Sequence, residues 1–477
     1  MDSFLWFDFE TFGTNPAKDR PSQFAAIRTD HDFKVIDEPI NVFCKPADDF
    51  LPHPEACLVT GITPQQALAE GVEESAFFRQ IHQQLSIPRT CAVGYNNIRF
   101  DDEVIRFGLY RNFYDAYARE WQDGNSRWDI LDMLRMTHAL RPEGIEWPIN
   151  EHGNPSFRLE LLSSANGISH ENAHDALADV YATIEMAKMV KTQQPRLFQF
   201  LYELRDKRRV MAEIDLIENK PFVHCSGMLG PTHHYCGIMM PLVAHPTNKN
   251  SAICIDLSQT FEDLSDLSSE DFQRRIFIRQ DDLPEGEERL AIKEVHYNKC
   301  PAVAPLGVFN DSVQQRLNID LEECLQKAAL IRENLPAIKG NLLAAYQSKK
   351  FESISNPDYA LYSGGFFKPS DRQLMDEIRS LDWQALAEQD FDFHDPRLAE
   401  MLFRYRARNA PQSMTPQEQE RWNIHKKACF YEESSGSTLL FDQLMAKLES
   451  LRQDPSNNQQ ILLDVEAYAK QLIESLN

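Results

Sequence analysis

The chain has 477 residues, of which 42% are hydrophobic and 26% charged, as in ordinary globular proteins. No apolar run reaches the length that crosses a bilayer, and the N-terminus lacks the basic and apolar segments of a signal peptide, so we predict a cytoplasmic protein without membrane segments. The net charge of −24 argues against a nucleic-acid ligand, unless basic groups line one groove or bound divalent cations change the local sign.

The nine cysteines are scattered along the chain, and no pair has C-x-x-C spacing. This pattern argues against a disulfide framework and against a structural zinc site. We therefore expect reduced thiols that are mostly buried.

Short apolar runs and turn signals predict a mixed sheet in the first 190 residues. Residues 4–9 have the pattern of a buried strand, and further strands are predicted near 24–28, 40–44 and 91–95. Thr63-Pro64-Gln65-Gln66 is typical of a helix start. Helices are predicted over 73–85, from about 102, and over 129–140, 158–165 and 176–191. This order is that of a mixed sheet flanked by helices, as in ribonuclease-H-like nucleases.

The composition changes after Lys191. Strand-like runs at 236–243, 251–257 and 290–296, with proline and glycine turns between them, predict a small β-rich domain such as a barrel. From about Leu317 the pattern is helical to the end of the chain. We therefore predict three domains, over residues 1–190, 195–348 and 351–477.

Asp8 and Glu10 stand two residues apart on the first predicted strand. Because successive side chains of a strand alternate between its faces, both carboxylates project from the same face. Two acidic groups on an apolar strand repel each other and are costly to desolvate, which a bound divalent cation would relieve. The alternative is a strand end that dips into solvent, but the context WFDFETFGT favours a metal site.

Asp101 is a candidate for the same site. It follows the predicted strand at 91–95, so it lies at a strand end or in the first turn of a helix. In the second case its alternative role is to interact with the helix dipole. Asp102 and Glu103 fit that alternative role equally well.

The segment NAHDALAD at 172–179 supplies the remaining candidates. Asp175 and Asp179 lie four residues apart and share a helix face, so spacing alone does not choose between them. His174 is five residues from Asp179 and would not share its face on one regular helix. We place His174 just before the helix or in its first turn, where a structural role is the alternative to a catalytic one.

Together these segments resemble a known class of nucleases. The order D-x-E, N-x-x-F-D and H-x-x-x-x-D is similar to that of the DEDDh class of 3′–5′ exonucleases, and longer stretches resemble the bacterial exonuclease I family. These stretches are GYNNIRFDDE, SRWDILDMLR, ALRPEGIEWP, PSFRLELL, NAHDALADVYATI, YNKCP at 297–301 and LFRYRAR at 402–408. The resemblance covers essentially the whole chain. It implies an α/β, ribonuclease-H-like nuclease domain, a β-rich, Src-homology-3-like middle domain and an α-helical C-terminal domain.

The resemblance also implies a two-metal-ion mechanism. Asp8, Glu10, Asp101 and Asp179 would bind two Mg²⁺ ions, for which Mn²⁺ can substitute, and His174 would take the proton from the attacking water. Single-stranded DNA would be degraded from its 3′ end with release of nucleoside 5′-monophosphates. The family suggests a role in DNA repair and recombination.

Substrate and partner contacts follow from the same resemblance. The positions similar to family contacts with DNA are Glu10, Arg158, Arg106, Tyr117, Trp121, Arg135 and Asn172. Arginine pairs with phosphate, and tyrosine and tryptophan offer stacking faces, although each aromatic is equally compatible with core packing. The implied protein partner is the acidic C-terminal tail of single-stranded DNA-binding protein, with Arg141 and Arg332 as candidate contacts. We expect the chain to act as a monomer.

A basic run at the end of the nuclease region permits two interpretations, since it could follow a phosphate backbone or form a solvated linker face. It consists of Lys188, Lys191, Arg196, Arg205, Lys207, Arg208 and Arg209.

Two rival functions are an RNA-trimming or proofreading exonuclease, and a non-catalytic nucleic-acid-binding adaptor. The roughly 280 residues after Lys191 argue against the first, because such enzymes are usually single nuclease domains. The complete set of five catalytic residues argues against the second.

Overall fold

The computed structural model describes residues 2–169, 175–260, 262–348 and 354–476. The chain divides into two compact units. The first contains Met1–Ser126, His170–Tyr181 and Glu352–Asn477, and the second contains Arg127–Ser169 and Ala182–Phe351. The two ends of the sequence therefore form one unit. Among the described residues, no helix has both the length and the apolar character needed to span a bilayer.

The N-terminal region is built on a mixed sheet with the strand order β3-β2-β1-β4-β5. Its strands are β1 (Ser3–Thr11), β2 (Pro21–Thr29), β3 (Ile40–Phe43), β4 (Thr90–Gly94) and β5 (Ser126–Asp129). β1 is antiparallel to β2 and parallel to β4, so it is the central strand. Its nearly continuous apolar sequence reflects burial on both faces. The sequence analysis does not predict β5, a four-residue strand with two charged residues.

Seven helices accompany this sheet in the described part of the region. They are α1 (Pro54–Thr60), α2 (Pro64–Glu70), α3 (Glu74–Leu85), α4 (Asp101–Arg111), α5 (Ile130–Leu140), α6 (Leu159–Ala165) and α7 (Ala176–Gln193). The predicted start at Thr63 is confirmed, because the Thr63 side chain accepts a hydrogen bond from Gln66 N. All but the short α1 are predicted from the sequence.

The second unit contains an antiparallel sheet with the strand order β10-β6-β7-β8-β9. Its elements after α7 are α8 (Pro195–Glu203), α9 (Lys207–Glu213), β6 (Phe222–Cys225), β7 (Cys236–Ala244), β8 (Ser251–Asp256), α10 (Ser269–Phe277), β9 (Ile292–His296), β10 (Ala302–Pro305), α11 (Asp311–Leu317) and α12 (Leu321–Gln347). The three predicted strands correspond to β7, β8 and β9. β6 and β10, the first and last strands of this sheet in chain order, pair with each other and are missed by the sequence analysis.

The C-terminal region is helical, as predicted. Its helices are α13 (Pro369–Ser380), α14 (Trp383–Glu388), α15 (Arg397–Asn409), α16 (Pro416–Tyr431), α17 (Phe441–Arg452) and α18 (Gln459–Glu474). A hydrophobic cluster joins them to the N-terminal region within the first unit: Phe12 and Leu51 share it with Phe430, Leu462 and Val465. The two regions thus bury apolar surface against each other, which is a main source of folding free energy.

Buried ion pairs join the same two regions. Arg408 of α15 donates hydrogen bonds to Asp49 at 2.7 Å and to Asp358 at 2.5 Å, and all three side chains are buried. Burial alone would raise the pKa of Asp49, but Arg408 holds it well below its usual range. Because an unpaired buried charge is strongly unfavourable, Arg408 is essential to this contact.

All nine cysteines are buried and unbonded to one another. This observation confirms the prediction of buried thiols without a disulfide framework.

Candidate active site

Asp8 and Glu10 project from one face of β1, and Phe7 and Phe9 project from the other. Phe7 and Phe9 belong to the apolar cluster formed with α3 and α4, so this packing leaves the opposite face to the carboxylates. Asp8 is half-buried and Glu10 is 8% exposed. The alternation of the strand therefore places both carboxylates together in a largely dry environment.

Asp101 is the first residue of α4 and contacts β1 between the two carboxylates. Its Oδ1 accepts a hydrogen bond from Phe9 N at 3.1 Å, and the residue is 5% exposed. The chain reaches this position through a tight turn after β4. A Cβ on Gly94 would lie 2.7 Å from the Cβ of Asn97, so the close approach requires glycine.

The two neighbouring acids of α4 have other partners. Asp102 is fully buried and pairs with Arg119 at 2.6 Å. Glu103 pairs with Arg106, also at 2.6 Å. The hydrogen bond to β1 thus distinguishes Asp101 from the alternatives that the sequence leaves open.

α7 brings a fourth carboxylate to the site. One oxygen from each of Asp8, Glu10 and Asp179 lies within 4.8 Å of the others. Asp175, four residues earlier, instead accepts hydrogen bonds at 3.1 Å from the backbone N–H groups two and three residues further on. It therefore caps α7. These contacts separate two acids that spacing alone leaves equivalent.

Carboxylates this close together resist ionisation. Burial first, and then the charges of Asp179, Asp101 and Asp175, raise the pKa of Glu10 to about 9. Burial and the neighbouring acids also raise the pKa of Asp8 well above its usual range. Within the described ranges, no lysine or arginine pairs with Asp8 or Glu10. Converging oxygen ligands that raise one another's pKa in this way fit a hard divalent cation such as Mg²⁺.

A second group of metal-ligand types lies elsewhere in the first unit. Nε2 of His425 is 3.2 Å from Asp49 Oδ2 and 3.4 Å from Cys429 Sγ. The Asp49 carboxylate already accepts hydrogen bonds from Arg408, and burial raises the pKa of the Cys429 thiol to about 12. A cation here would disrupt an existing buried ion pair. We therefore assign this group to the ion-pair network between the two regions.

Besides Glu10, three described residues that are predicted to contact DNA lie in the first unit. Trp121 is 69% exposed, and Tyr117 is half-buried. The guanidinium of Arg106 lies 5.4 Å from the centre of the Tyr117 ring. Arg106 itself is buried and pairs with Glu103 and Glu120, so the protein already neutralises its charge. A phosphate contact by Arg106 stays a prediction, as do the two aromatic contacts.

Two further predicted contacts lie in the second unit. The side chain of Arg158 is 71% exposed and pairs with Glu160 at 2.7 Å. Arg135 is half-buried, and its guanidinium lies 5.8 Å and 5.5 Å from the ring centres of Phe157 and Tyr235. Their roles in DNA binding stay predictions.

The other predicted residues, which are His174, Asn172, Arg141 and Arg332, give no further distances within the candidate site. His174 and Asn172 lie outside the described residues. Arg141 is half-buried, and exposed Arg332 donates hydrogen bonds to the backbone carbonyl oxygens of residues 218 and 219.

The basic run of residues 188–209 is partly neutralised by acidic neighbours. Lys188 pairs with Glu185 at 3.1 Å, Arg208 with Asp206 at 2.9 Å, and Arg209 with Glu203 at 3.5 Å. These exposed pairs are weak individually, so they fit both the phosphate-tracking and the linker interpretation.

Gln23 is a residue near the site that the sequence analysis misses. It lies on β2 as the register partner of Glu10, is 2% exposed, and accepts a hydrogen bond from Ala176 N at 3.4 Å. A polar amide in an apolar strand is the signal that identifies such a residue, because buried polar groups require partners.

Three family profiles together match nearly the whole chain. The family described as Exonuclease matches residues 5–187, the Exonuclease I SH3-like domain matches 205–348, and the Exonuclease I C-terminal domain matches 355–472. These matches confirm the predicted fold class.

Relatives named exodeoxyribonuclease I are similar over most or all of the chain. The relative from Escherichia coli (strain K12) is 48% identical over 431 residues, which are 90% of each protein. The relative from Haemophilus influenzae is 42% identical over 472 residues, which are 99% of each protein.

Solved structures of exonuclease I are similar over the full length. The E. coli protein in complex with a dA16 oligonucleotide has a TM-score of 0.94 at 45% identity, over 99% of this chain and 100% of that one. A zinc-bound E. coli complex with single-stranded DNA and an SSB/exonuclease I complex with an inhibitor have TM-scores of 0.93 and 0.90, both at 44% identity and the same coverage. By its profiles, its relatives and its fold, the chain belongs to the exonuclease I family of exodeoxyribonucleases.

Proposed function

We propose that this protein is a metal-dependent exonuclease that degrades single-stranded DNA from the 3′ end and releases nucleoside 5′-monophosphates. The observation that carries the proposal is the convergence of the Asp8, Glu10 and Asp179 carboxylates within 4.8 Å, with Asp101 hydrogen-bonded to the same strand. The oligonucleotide complex of the similar E. coli protein supports single-stranded DNA as the substrate.

In this proposal Asp8, Glu10, Asp101 and Asp179 hold two Mg²⁺ ions, for which Mn²⁺ can substitute. When bound, such ions polarise the scissile phosphate and stabilise the charge that develops on the attacking and leaving oxygens. The carboxylates would hold and orient the two ions, which in turn would offset the repulsion between these acids and the phosphate. The all-oxygen ligand set supports Mg²⁺ as the physiological metal, while the zinc-bound E. coli structure supports a divalent site in the family.

His174 is the proposed general base. An imidazole with an ordinary pKa of roughly 6.5 accepts protons efficiently near neutral pH. His174 would take the proton of the water that attacks phosphorus. In the sequence it directly precedes Asp175, the residue that caps α7.

The proposed substrate contacts divide by chemistry. Exposed Trp121 and half-buried Tyr117 would stack on bases. Arg106, Arg135, Arg158 and Asn172 would contact phosphate and sugar, and Glu10 the terminal nucleotide.

The proposed partner is the acidic tail of single-stranded DNA-binding protein, which would dock on Arg141 and Arg332. The SSB/exonuclease I complex supports this partner class. We further propose that the enzyme is a cytoplasmic monomer with domains over 1–190, 195–348 and 351–477 that serves repair and recombination. Sedimentation would test the monomer.

A digestion assay tests the proposal directly. The purified chain is incubated with end-labelled single-stranded DNA, duplex DNA and RNA, with Mg²⁺ or with EDTA. We expect release of labelled mononucleotide from the 3′ end of single-stranded DNA only with metal. Asp8→Ala should abolish release at any Mg²⁺ concentration, whereas Asp390→Ala, at an exposed acid of the C-terminal region, should not.

The other outcomes of this assay identify the rivals. Equal digestion of RNA would favour an RNA-trimming enzyme. Binding of DNA without metal-dependent release of nucleotides would favour a non-catalytic adaptor. Rescue of Asp8→Ala at high Mg²⁺ would show that Asp8 is a minor ligand.

A further inference from the structure

We propose that Gln23 and Asp175 are positioning residues, which together dock the first turn of α7 on the sheet beside Glu10 and thereby fix the place of Asp179. The inference rests on the proposed metal-dependent function. It assigns a role to two side chains that hold no metal themselves.

Asp175 is the N-cap residue of α7 and directly precedes its first residue. The first four backbone N–H groups of a helix have no partner inside it. Asp175 Oδ1 accepts hydrogen bonds from Leu177 N and Ala178 N, both at 3.1 Å, and its carbonyl oxygen accepts from Asp179 N at 3.0 Å. The side chain of Asp175 thus satisfies two of the four groups, and the bond from Asp179 N to its carbonyl oxygen is the first hydrogen bond within the helix.

Gln23 satisfies a third group from the sheet. Its Oε1 accepts a hydrogen bond from Ala176 N at 3.4 Å, while its Nε2 donates to Asn41 Oδ1 of β3 at 2.9 Å. The bond to Asn41 orients the amide so that its oxygen faces the helix. Because Gln23 pairs in register with Glu10, the link attaches α7 next to one of the site carboxylates.

This double cap matters because Asp179 lies in the first turn of α7. Helix ends fray when their N–H groups lack partners, and fraying would displace the Asp179 oxygen from the positions near Asp8 and Glu10. Residues that orient metal ligands without touching the metal typically change metal affinity by roughly 10- to 100-fold when they are removed.

Four variants of the full chain separate positioning from metal ligation and from general stability. Gln23→Leu removes the link to the sheet at nearly constant volume, and Asp175→Ala removes the cap. Asp175→Asn keeps the cap, because asparagine caps helices about as well as aspartate, but it removes a carboxylate. The matched control is Asp382→Ala. Asp382 caps α14 through the same pair of backbone N–H groups, two and three residues ahead, far along the chain from the site residues.

The readout is Mn²⁺ binding to the DNA-free protein, measured by electron paramagnetic resonance of the free ion, together with kcat and KM. We expect Gln23→Leu and Asp175→Ala to weaken Mn²⁺ binding by roughly 10- to 100-fold and to lower kcat more than they change KM. Asp175→Asn should stay within about threefold of the unmodified protein. Asp382→Ala should bind Mn²⁺ normally.

Two results would overturn the inference. If Asp175→Asn loses as much affinity as Asp175→Ala, the carboxylate itself is a ligand. If Gln23→Leu keeps its circular dichroism spectrum and binds Mn²⁺ normally, the link to the sheet has no positioning role. If Gln23→Leu does not fold, the comparison of Mn²⁺ binding by Asp175→Ala and Asp175→Asn decides whether the cap positions Asp179. Failure of the proposed function is distinct, because then the unmodified protein would neither bind Mn²⁺ nor release nucleotides.

Discussion

Glu10 should make the metal-free protein less stable as the pH rises. The pKa of its carboxyl group is about 9 in the folded chain, against an ordinary value of 4.5, because it is buried among other acids. Between these pH values the folded state retains a proton that the unfolded chain has released. The free energy of unfolding therefore falls by about 1.4 kcal/mol for each pH unit, or about 3 kcal/mol between pH 6 and pH 8.

Glu10→Gln removes this dependence, because the amide does not titrate. In EDTA its advantage in unfolding free energy over the unmodified protein should be about 3 kcal/mol larger at pH 8 than at pH 6. Urea denaturation at the two pH values, followed by circular dichroism, measures this difference. Glu420→Gln, at an exposed position of α16, serves as the control and should change nothing.

With a bound divalent cation, the unmodified protein should be more stable than Glu10→Gln, the reverse of the order expected in EDTA at pH 8. A bound cation displaces the proton from Glu10 and stabilises the unmodified protein by mass action, whereas Glu10→Gln has lost a ligand. If the unfolding free energies of the two proteins instead change in parallel between pH 6 and pH 8 in EDTA, Glu10 does not retain its proton and the electrostatic description of the site is wrong.

Three further predictions concern other residues. His174→Ala should slow nucleotide release by on the order of 10²–10⁴-fold while DNA binding persists; near-normal release would remove it from the role of base. Trp121→Ala should weaken binding of single-stranded DNA by about 5- to 100-fold, as expected for loss of one stacked base, and unchanged affinity in a fluorescence anisotropy titration would place the ring outside the DNA path. Arg408→Met should lower the free energy of unfolding by roughly 3–5 kcal/mol, because it removes the arginine that buried Asp49 and Asp358 share; urea denaturation measures this loss, and a change below about 1 kcal/mol would contradict it.

The sequence predicts the elements around the site well because their patterns are long. The run that forms β1 and the helix start at Thr63 are both found where the local pattern places them. β5, β6 and β10 have four residues each, a length at which the alternating pattern is weak; β3, which is equally short, is predicted, whereas these three strands are missed.

The side-chain partners are less predictable because they come from distant parts of the chain. Asp175 and Asp179 share a helix face, and only the hydrogen bonds to the backbone show that Asp175 is the cap. Arginine is a residue type that commonly binds phosphate. Arg106, however, pairs with Glu120 and donates a hydrogen bond to Tyr362, which is 256 positions away in the sequence. The residues next to Arg106 in the sequence do not indicate such a contact.

The cluster that contains Phe12 has a consequence for dissection of the enzyme. Phe12 lies two residues after Glu10, and it packs with Phe430, Leu462 and Val465 near the other end of the chain. A recombinant fragment that stops near residue 190 would leave this interior open to water, directly beyond the strand that carries Asp8 and Glu10. The N-terminal region therefore shares part of its core with α18, and we expect substitutions at Leu462 or Val465 to destabilise both.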